Sequence, residues 1–429
     1  MSLLGKIKKE TTADRYLPFV RHSDAQTVIT RNRGAFQMLK LEGVSFRTAD
    51  TQLVNTLHSQ LSHALRSIAD DTLMIYVHVV RGPDDDYPEG PFVSDLAQWI
   101  DQSYRHRLET KRLFRNDLYL TVYMQPRGLP GERLAKGLRR ARTSQIEVDQ
   151  ALLDDLDDRT TQLARGLGRF RPRKLSILRD DRGLLVSEPA RVLKQLISGR
   201  SESVPVVHGT LGNAIHTDRV IFGREALEIR HAAASTYGAM FGIKEYHART
   251  RPDMFDTLLT APFRFVLTQS FRCTAKNEAL RQMTLKEGRL RNANDPAISQ
   301  ADNLREARDD LMSGEYVMGE HGLSLMVLTE DPADLKTRVA DAHSLLSESG
   351  AVVAREDMGL EPQFWAQLPG NHAYRARVAL ITSRNFAAMS PFHNFPTGRA
   401  RGNFWGDALA MLTTRAGWPY YLSLHASDP

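Results

Sequence analysis

Cysteine is nearly missing: the 429-residue chain holds one, Cys273. A lone thiol cannot close an internal disulfide, which excludes a disulfide-stapled scaffold and fits a reducing cytoplasm. Long apolar runs are missing too. The best, residues 73–80, falls well short of the ~18–20 residues a membrane-spanning helix needs, and it contains His78. The N-terminus shows no secretory apolar region and no cleavage site. There is no Gly-x-x-x-x-Gly-Lys-Ser/Thr loop, in which backbone amides wrap a phosphate while lysine reaches its outer oxygens. Gly209-Thr210-Leu211-Gly212 lacks the lysine, and Gly166-Leu167-Gly168 lacks the third glycine of a dinucleotide fingerprint. His-Glu-x-x-His, paired cysteines and Gly-x-Ser-x-Gly are absent as well. His58 and His63 are five residues apart, on different helix faces, so they do not make a metal pair. No catalytic residue, cofactor-binding residue or metal ligand is therefore assigned.

A large excess of one charge sign is also missing. Lysine plus arginine number 57 against 51 acids, a net +6. Screened over a Debye length of ~8 Å, that is a mild bias and no nucleic-acid signature in itself. What is present is ordinary: 41% hydrophobic, 25% charged and 8% aromatic residues. That profile is globular, and at roughly 100–200 residues per domain it predicts two or three domains.

The chain opens on a short cationic amphipathic stretch, Leu3-Leu4-Gly5-Lys6-Ile7-Lys8-Lys9, which suits either a membrane surface or a frayed terminus. A hairpin is predicted around Asn32-Arg33-Gly34. A helix follows over 49–69, with Leu53, Leu57, Leu61, Leu65 and Ile68 on one face. After the strand 73–80 comes a loop, 81–91, with Asp84, Asp85 and Asp86, read as a polar loop. The next helix carries Leu96, Trp99, Ile100 and Tyr104. Alternation at Leu118, Leu120, Val122 and Met124 marks a strand. Residues 127–174 are laid out as basic, acidic and basic blocks, read as a solvated helical hairpin whose blocks neutralise each other. A helix over 189–197 has Ser187 as its cap, Pro189 in its first turn and Gly199 at its end. The composition of 199–205 is that of a linker.

The second half runs strand, helices, strand, helix, strand, helix, comparable to the first. The reading is an α/β (α+β) fold of two similar mixed units with helices packed on sheets, at 1–200 and 201–385. A glycine-, arginine- and aromatic-rich loop and an unfinished strand unit occupy 386–429, which reads as a fold cut at Pro429.

Several segments resemble the VirB/TrbE/CagE family of type IV secretion ATPases. They are Tyr16-Leu17-Pro18, the run from Val20 to Asp24, the run from Leu41 to Phe46, Asn55-x-x-His58 and the run from Tyr316 to Leu325. The most specific match is the fingerprint Asn394, Pro396, Thr397, Gly398, Arg401, Gly402, Asn403, Trp405 and Gly406, which resembles the lead-in to the family's RecA-like motor. The resemblance implies the N-terminal, non-catalytic region of an ATPase that powers assembly or transport in conjugation, DNA or effector secretion and pilus biogenesis. It implies a docking scaffold at the cytoplasmic face of the inner membrane. Its implied partners are the inner-membrane subunits, other ATPases of the system and itself, as a hexamer or as dimers of a larger ring. ATP and Mg²⁺ would serve the full-length protein beyond Pro429, leaving this chain inactive alone. Two other readings compete. Arg133–Arg142, or Arg399 and Arg401 beside Phe404 and Trp405, suit a nucleic-acid surface, though interleaved acids predict weak binding. A free-standing enzyme rests only on size and the aspartate loop.

Overall fold

The computed structural model describes residues 12–47, 50–84, 87–88, 90–109, 113–127, 148–247, 249–292, 298–404, 406–414 and 417–424. The stretch at Leu3–Lys9, Arg133–Arg142, Asp85, Asp86, Trp405 and Pro429 lie outside the described residues.

The fold is α+β, with ten α-helices among the described residues and one 13-stranded sheet whose pairings are all antiparallel. In the first half, β1 (Phe19–His22) and β2 (Val28–Thr30) form a hairpin that leads to β3 (Ala35–Leu41). A short strand, β4 (Val44–Ser45), precedes α1 (Thr51–Ser67). Then come β5 (Leu73–Pro83), α2 (Asp95–Glu109), β6 (Phe114–Met124), α3 (Gln150–Gly166) and β7 (Arg173–Lys174). A small hairpin, β8 (Ile177–Arg179) and β9 (Leu185–Ser187), leads into α4 (Glu188–Ser198). Ser187 caps α4 by accepting from the Ala190 amide, Pro189 sits in its first turn, and Gly199 ends it at φ 69°.

The second half begins with α5 (Leu211–Ile215), β10 (Arg219–Phe222), β11 (Leu227–Arg230) and β12 (Ser235–Glu245). It continues through β13 (Arg264–Cys273), α6 (Lys276–Asn292), α7 (Ile298–Ser313), β14 (Met318–Thr329), α8 (Leu335–Glu348), β15 (Val352–Arg355) and α9 (Leu360–Ala366). The last elements are β16 (Ala379–Thr382), α10 (Ser383–Met389), β17 (His393–Asn394), β18 (Ala410–Thr413) and β19 (Pro419–Leu422).

The sheet order exposes a repeat. It runs β1-β2-β3-β6-β5-β13-β14-β12-β11-β10. In each half a hairpin pairs with a first central strand, β3 or β12. The third central strand, β6 or β14, lies between the first and the second. Each half then adds a helix, α3 or α8, and a strand that pairs back on the first, β7 or β15. The halves join where β5 meets β13, with His78 opposite Thr268. Two units of similar topology thus share one continuous sheet.

Period-2 alternation sends each central strand's side chains to two cores. Ile75, Val77 and Val79 pack with Leu57, Leu61 and Leu65 of α1, Leu156 and Leu163 of α3, Leu346 of α8 and Phe386 of α10. Met74, Tyr76 and Val80 pack with Val192, Leu193 and Leu196 of α4 and Phe364 and Trp365 of α9. Helices therefore cover both faces of the sheet. The acidic block at 149–158 lies on and just before α3, whose Leu156 and Leu163 turn inward, while Asp157 reaches Lys174 at 2.7 Å and Asp155 reaches Arg159 at 2.7 Å.

Candidate functional site

The fingerprint loop closes a seam between the sheet and the C-terminal hairpin β18–β19. β17 pairs in parallel with β4, setting His393 opposite Val44 and Asn394 opposite Ser45. Asn394 is buried, and its Nδ2 donates to the Glu42 carbonyl at 2.9 Å and the Asn116 carbonyl at 3.3 Å. Its Oδ1 accepts from the Phe395 amide at 3.0 Å. One amide side chain therefore holds three backbone groups from three parts of the chain. Gly43 faces it at φ 82°, and a Cβ there would meet Asn394 Cβ at 2.7 Å. His393 Nδ1 lies 2.8 Å from Asp256, and its ring stacks on Phe46 with centroids 4.9 Å apart.

Past Pro396, which is exposed, the Thr397 carbonyl accepts from the Tyr421 amide at 2.7 Å. Gly398 lies so close to this strand that a Cβ would sit 2.1 Å from the Tyr421 carbonyl oxygen, and its φ is 69°. Only glycine fits there. Gly402 (φ 73°) and Gly406 (φ 112°) bracket a tight turn, in which Asn403 and Gly406 exchange backbone bonds of 3.0 Å. Asn403 Nδ2 also donates to the Arg399 carbonyl at 3.0 Å. Arg401 and Phe404 are exposed on this turn.

Below the loop, Phe395 stacks on Trp418 at 4.5 Å, and Trp418 is fully buried. The Arg81 guanidinium lies over Trp418 at 5.0 Å and over Phe114 at 4.9 Å. Arg81 donates to the carbonyls of Ala261 and Leu259 and to Asn116 Oδ1. Burial lowers its pKa to about 9, so the guanidinium stays charged at neutral pH while it donates these three hydrogen bonds.

A cleft of about 760 Å³ opens beside this clasp, with Lys40, Arg115, Asp117, Thr397 and Tyr420 on its walls. Three of the five cations on its walls are paired with acids there. Lys40 and Asp117 are 2.8 Å apart, Arg115 reaches Asp117 at 3.5 Å, and Arg171 reaches Glu42 at 3.2 Å. Burial pushes the Asp117 carboxyl up, but Lys40 and Arg115 outweigh it and hold it below the usual carboxylate range. Around Asp117 this is the chemistry of a packed seam.

The polar-loop reading of the aspartates needs one correction: Asp84 is buried, 3.7 Å from Arg115 and 3.3 Å from the Tyr421 hydroxyl. It belongs to the seam because Tyr421 and Arg115, far away in sequence, converge on it. No local signal could have shown that. His78 is a buried core histidine whose Nδ1 meets Thr268 Oγ1 at 3.0 Å. His58 Nε2 meets the Arg384 carbonyl at 3.0 Å. Among the described residues no three of His, Cys, Asp and Glu gather in a way that could hold a metal ion, and no helix is long and apolar enough to cross a membrane.

Two family models match the chain. Residues 26–130 match the N-terminal domain of the type IV secretion system ATPase VirB4/TrbE, and residues 173–377 match the CagE, TrbE, VirB family, component of type IV transporter system. The fingerprint loop lies outside both segments. The chain is 43% identical over 425 residues to the type IV secretion system protein virB4 of Bartonella quintana, covering 98% of this chain and 54% of that protein. It is 36% identical to protein virB4 of Agrobacterium fabrum, over 98% of this chain and 53% of that protein. It is 31% identical to the type IV secretion system protein PtlC of Bordetella pertussis, over 98% and 51%. The chain thus spans about half the length of the curated relatives it matches.

Proposed function

The chain belongs to the CagE, TrbE, VirB family of type IV transporter components, and on that premise we propose that it is the non-catalytic scaffold of a secretion ATPase. In this reading it docks on inner-membrane subunits at the cytoplasmic face, meets other ATPases of the system and assembles with copies of itself. MgATP is handled by a part of the relatives' length that this chain does not span. The scaffold holds that motor part in register during pilus assembly or transport of DNA or protein.

The observation that carries the proposal is the clasp. Asn394, Gly398 and Trp418 fasten the hairpin β18–β19 to a sheet core built from both halves. A motor attached through such a hairpin is coupled rigidly to whatever the sheet docks on. The test is Gly398→Val in the full-length protein, expressed in cells lacking their own copy of the gene. The variant is expected to accumulate normally while substrate transfer falls by about tenfold or more, since the added side chain must push the hairpin away. Unchanged transfer would overturn the coupling. Saturable stabilisation of the purified chain by MgATP would overturn its non-catalytic part.

A further inference from the structure

Near the joint of the two halves, two guanidiniums share one carboxylate. Arg272 of β13 lies directly opposite Glu320 of β14, so both side chains leave the same face of the sheet. Glu320 is already taken. Arg375, from the segment after α9, reaches its carboxylate at 2.9 Å and its carbonyl at 3.0 Å. Arg272 is half-buried in the 13-stranded sheet, yet it makes no ion pair and no hydrogen bond among the described residues. A guanidinium carries five N–H donors, and leaving them without acceptors is costly away from water.

The surroundings are fixed and rich in donors. Asn371 pins the segment that carries Arg375, its Nδ2 donating to the Tyr16 carbonyl at 2.7 Å and the Trp365 carbonyl at 3.0 Å. His372 Nδ1 accepts from the Gln125 side-chain amide at 3.4 Å, which leaves the ring proton on Nε2 as a donor. Tyr76 of β5 is on the same face, opposite Ser270 and two positions along β13 from Arg272. It is fully buried, and its hydroxyl has no hydrogen-bond partner among the described residues. Burial raises the pKa of that hydroxyl while the charges of Arg375 and Arg272 pull against it, so it lies within the field of both. His372 feels the same pair. Burial first, then Arg272 and Arg375, lowers its pKa to about 4. Two guanidiniums against one carboxylate leave a net positive charge. Donors gathered around such a charge without an acceptor are the chemistry by which proteins recognise oxyanions.

We propose that Arg272, Arg375, His372 and Tyr76 form a binding site for a phosphate-class oxyanion. Arg272 supplies the free fork, the Tyr76 hydroxyl and His372 Nε2–H are further donors, and Arg375 adds charge from its fixed place on Glu320. Phosphate suits this set better than a carboxylate does, because its oxygens accept from several directions and the donors come from β5, β13 and the segment after α9. Since β5 belongs to one half and β13 to the other, a bound anion ties the halves and that segment together. This goes beyond the scaffold reading and does not depend on it.

Thermal melting of the whole chain tests it, with sodium phosphate exchanged for sodium chloride at constant ionic strength. The expected result is a melting temperature that rises and saturates by ~10 mM phosphate. Arg272→Gln should lose at least about four-fifths of that rise. Without phosphate the same variant should melt no lower than the wild type, because no bond of Arg272 is lost and its repulsion with Arg375 is relieved. Arg272→Lys should bind phosphate about tenfold more weakly, since an ammonium keeps the charge but lacks the fork. In the wild type, phosphate should also raise the His372 pKa, read from its ring-proton shifts, because the anion offsets Arg272 and Arg375, the charged groups that face it. Sodium acetate is the second arm and should give no saturable rise. The proposal is overturned by the absence of a saturable rise with phosphate, by an equal rise in Arg272→Gln, by an equal effect of acetate or by an unmoved His372. Any effect of MgATP is read in the Arg272→Gln background, which keeps the test of the scaffold reading separate.

Discussion

The two halves of the sheet follow one strand order yet treat their second connection differently. Between β13 and β14, α6 and α7 bury Ala279, Met283 and Leu311 together. Between β5 and β6, α2 turns Leu96, Trp99 and Ile100 to the outside and spends its inward side on Tyr104, Leu108 and the Asp101–Tyr87 bond. A third helix sharpens the contrast. In α1 the stripe Leu57, Leu61 and Leu65 is buried on the sheet, with Ile68 just past the helix end, while Leu53, expected on the same face, is exposed in the first turn. Periodicity makes an apolar stripe in α1 and in α2, but only the surrounding fold decides whether the chain itself covers it.

The contrast can be broken by truncating one side chain at each place. Leu61→Ala in α1 is expected to cost about 2–5 kcal/mol, because it leaves a cavity in the larger core. Met283→Ala is expected to cost about 2 kcal/mol, at the lower end for a buried methionine in a peripheral cluster. Leu96→Ala is expected to change the stability of the dilute monomer by less than about 0.5 kcal/mol. Urea unfolding measures all three, and equal losses at positions 61 and 96 would erase the distinction between covered and uncovered stripes.

Acid sharpens it further. His78 and His321 are buried in the shared sheet, and burial lowers both pKa values to about 3. Unfolded histidine titrates near ~6.5, so the unfolded chain binds more protons between those values. The contribution of these two residues is therefore fully present above pH ~6.5 and is lost as pH falls toward 3, at up to ~1.4 kcal/mol per pH unit for each. The urea midpoint of the double variant His78→Asn/His321→Asn should fall less steeply with acid than that of the wild type, and an equally steep fall would contradict the assignment.

Much of this was legible in the sequence. The α1 stripe, the caps of α4 at Ser187 and Gly199 and the comparable order of the two halves are local signals, and local signals survive into the fold. The direction of α2 was not legible, because it depends on Tyr104 meeting Met411, 307 positions away. The clasp was half legible. The glycine and asparagine pattern marked the loop, but Asn394 acts on Glu42 and Asn116, and Gly398 on Tyr421, which no spacing reveals. Asp84 was misread for the same reason.

The contrast between the outward stripe of α2 and the covered stripe of α1 can be tested most directly with one thiol. Cys273 is buried, and burial pushes its thiol pKa up to about 12, so a cysteine placed elsewhere reports alone. Under native conditions a maleimide should modify Leu96→Cys at close to the rate of an unfolded thiol, and Leu61→Cys at least about tenfold more slowly. Equal rates at the two positions would contradict the account.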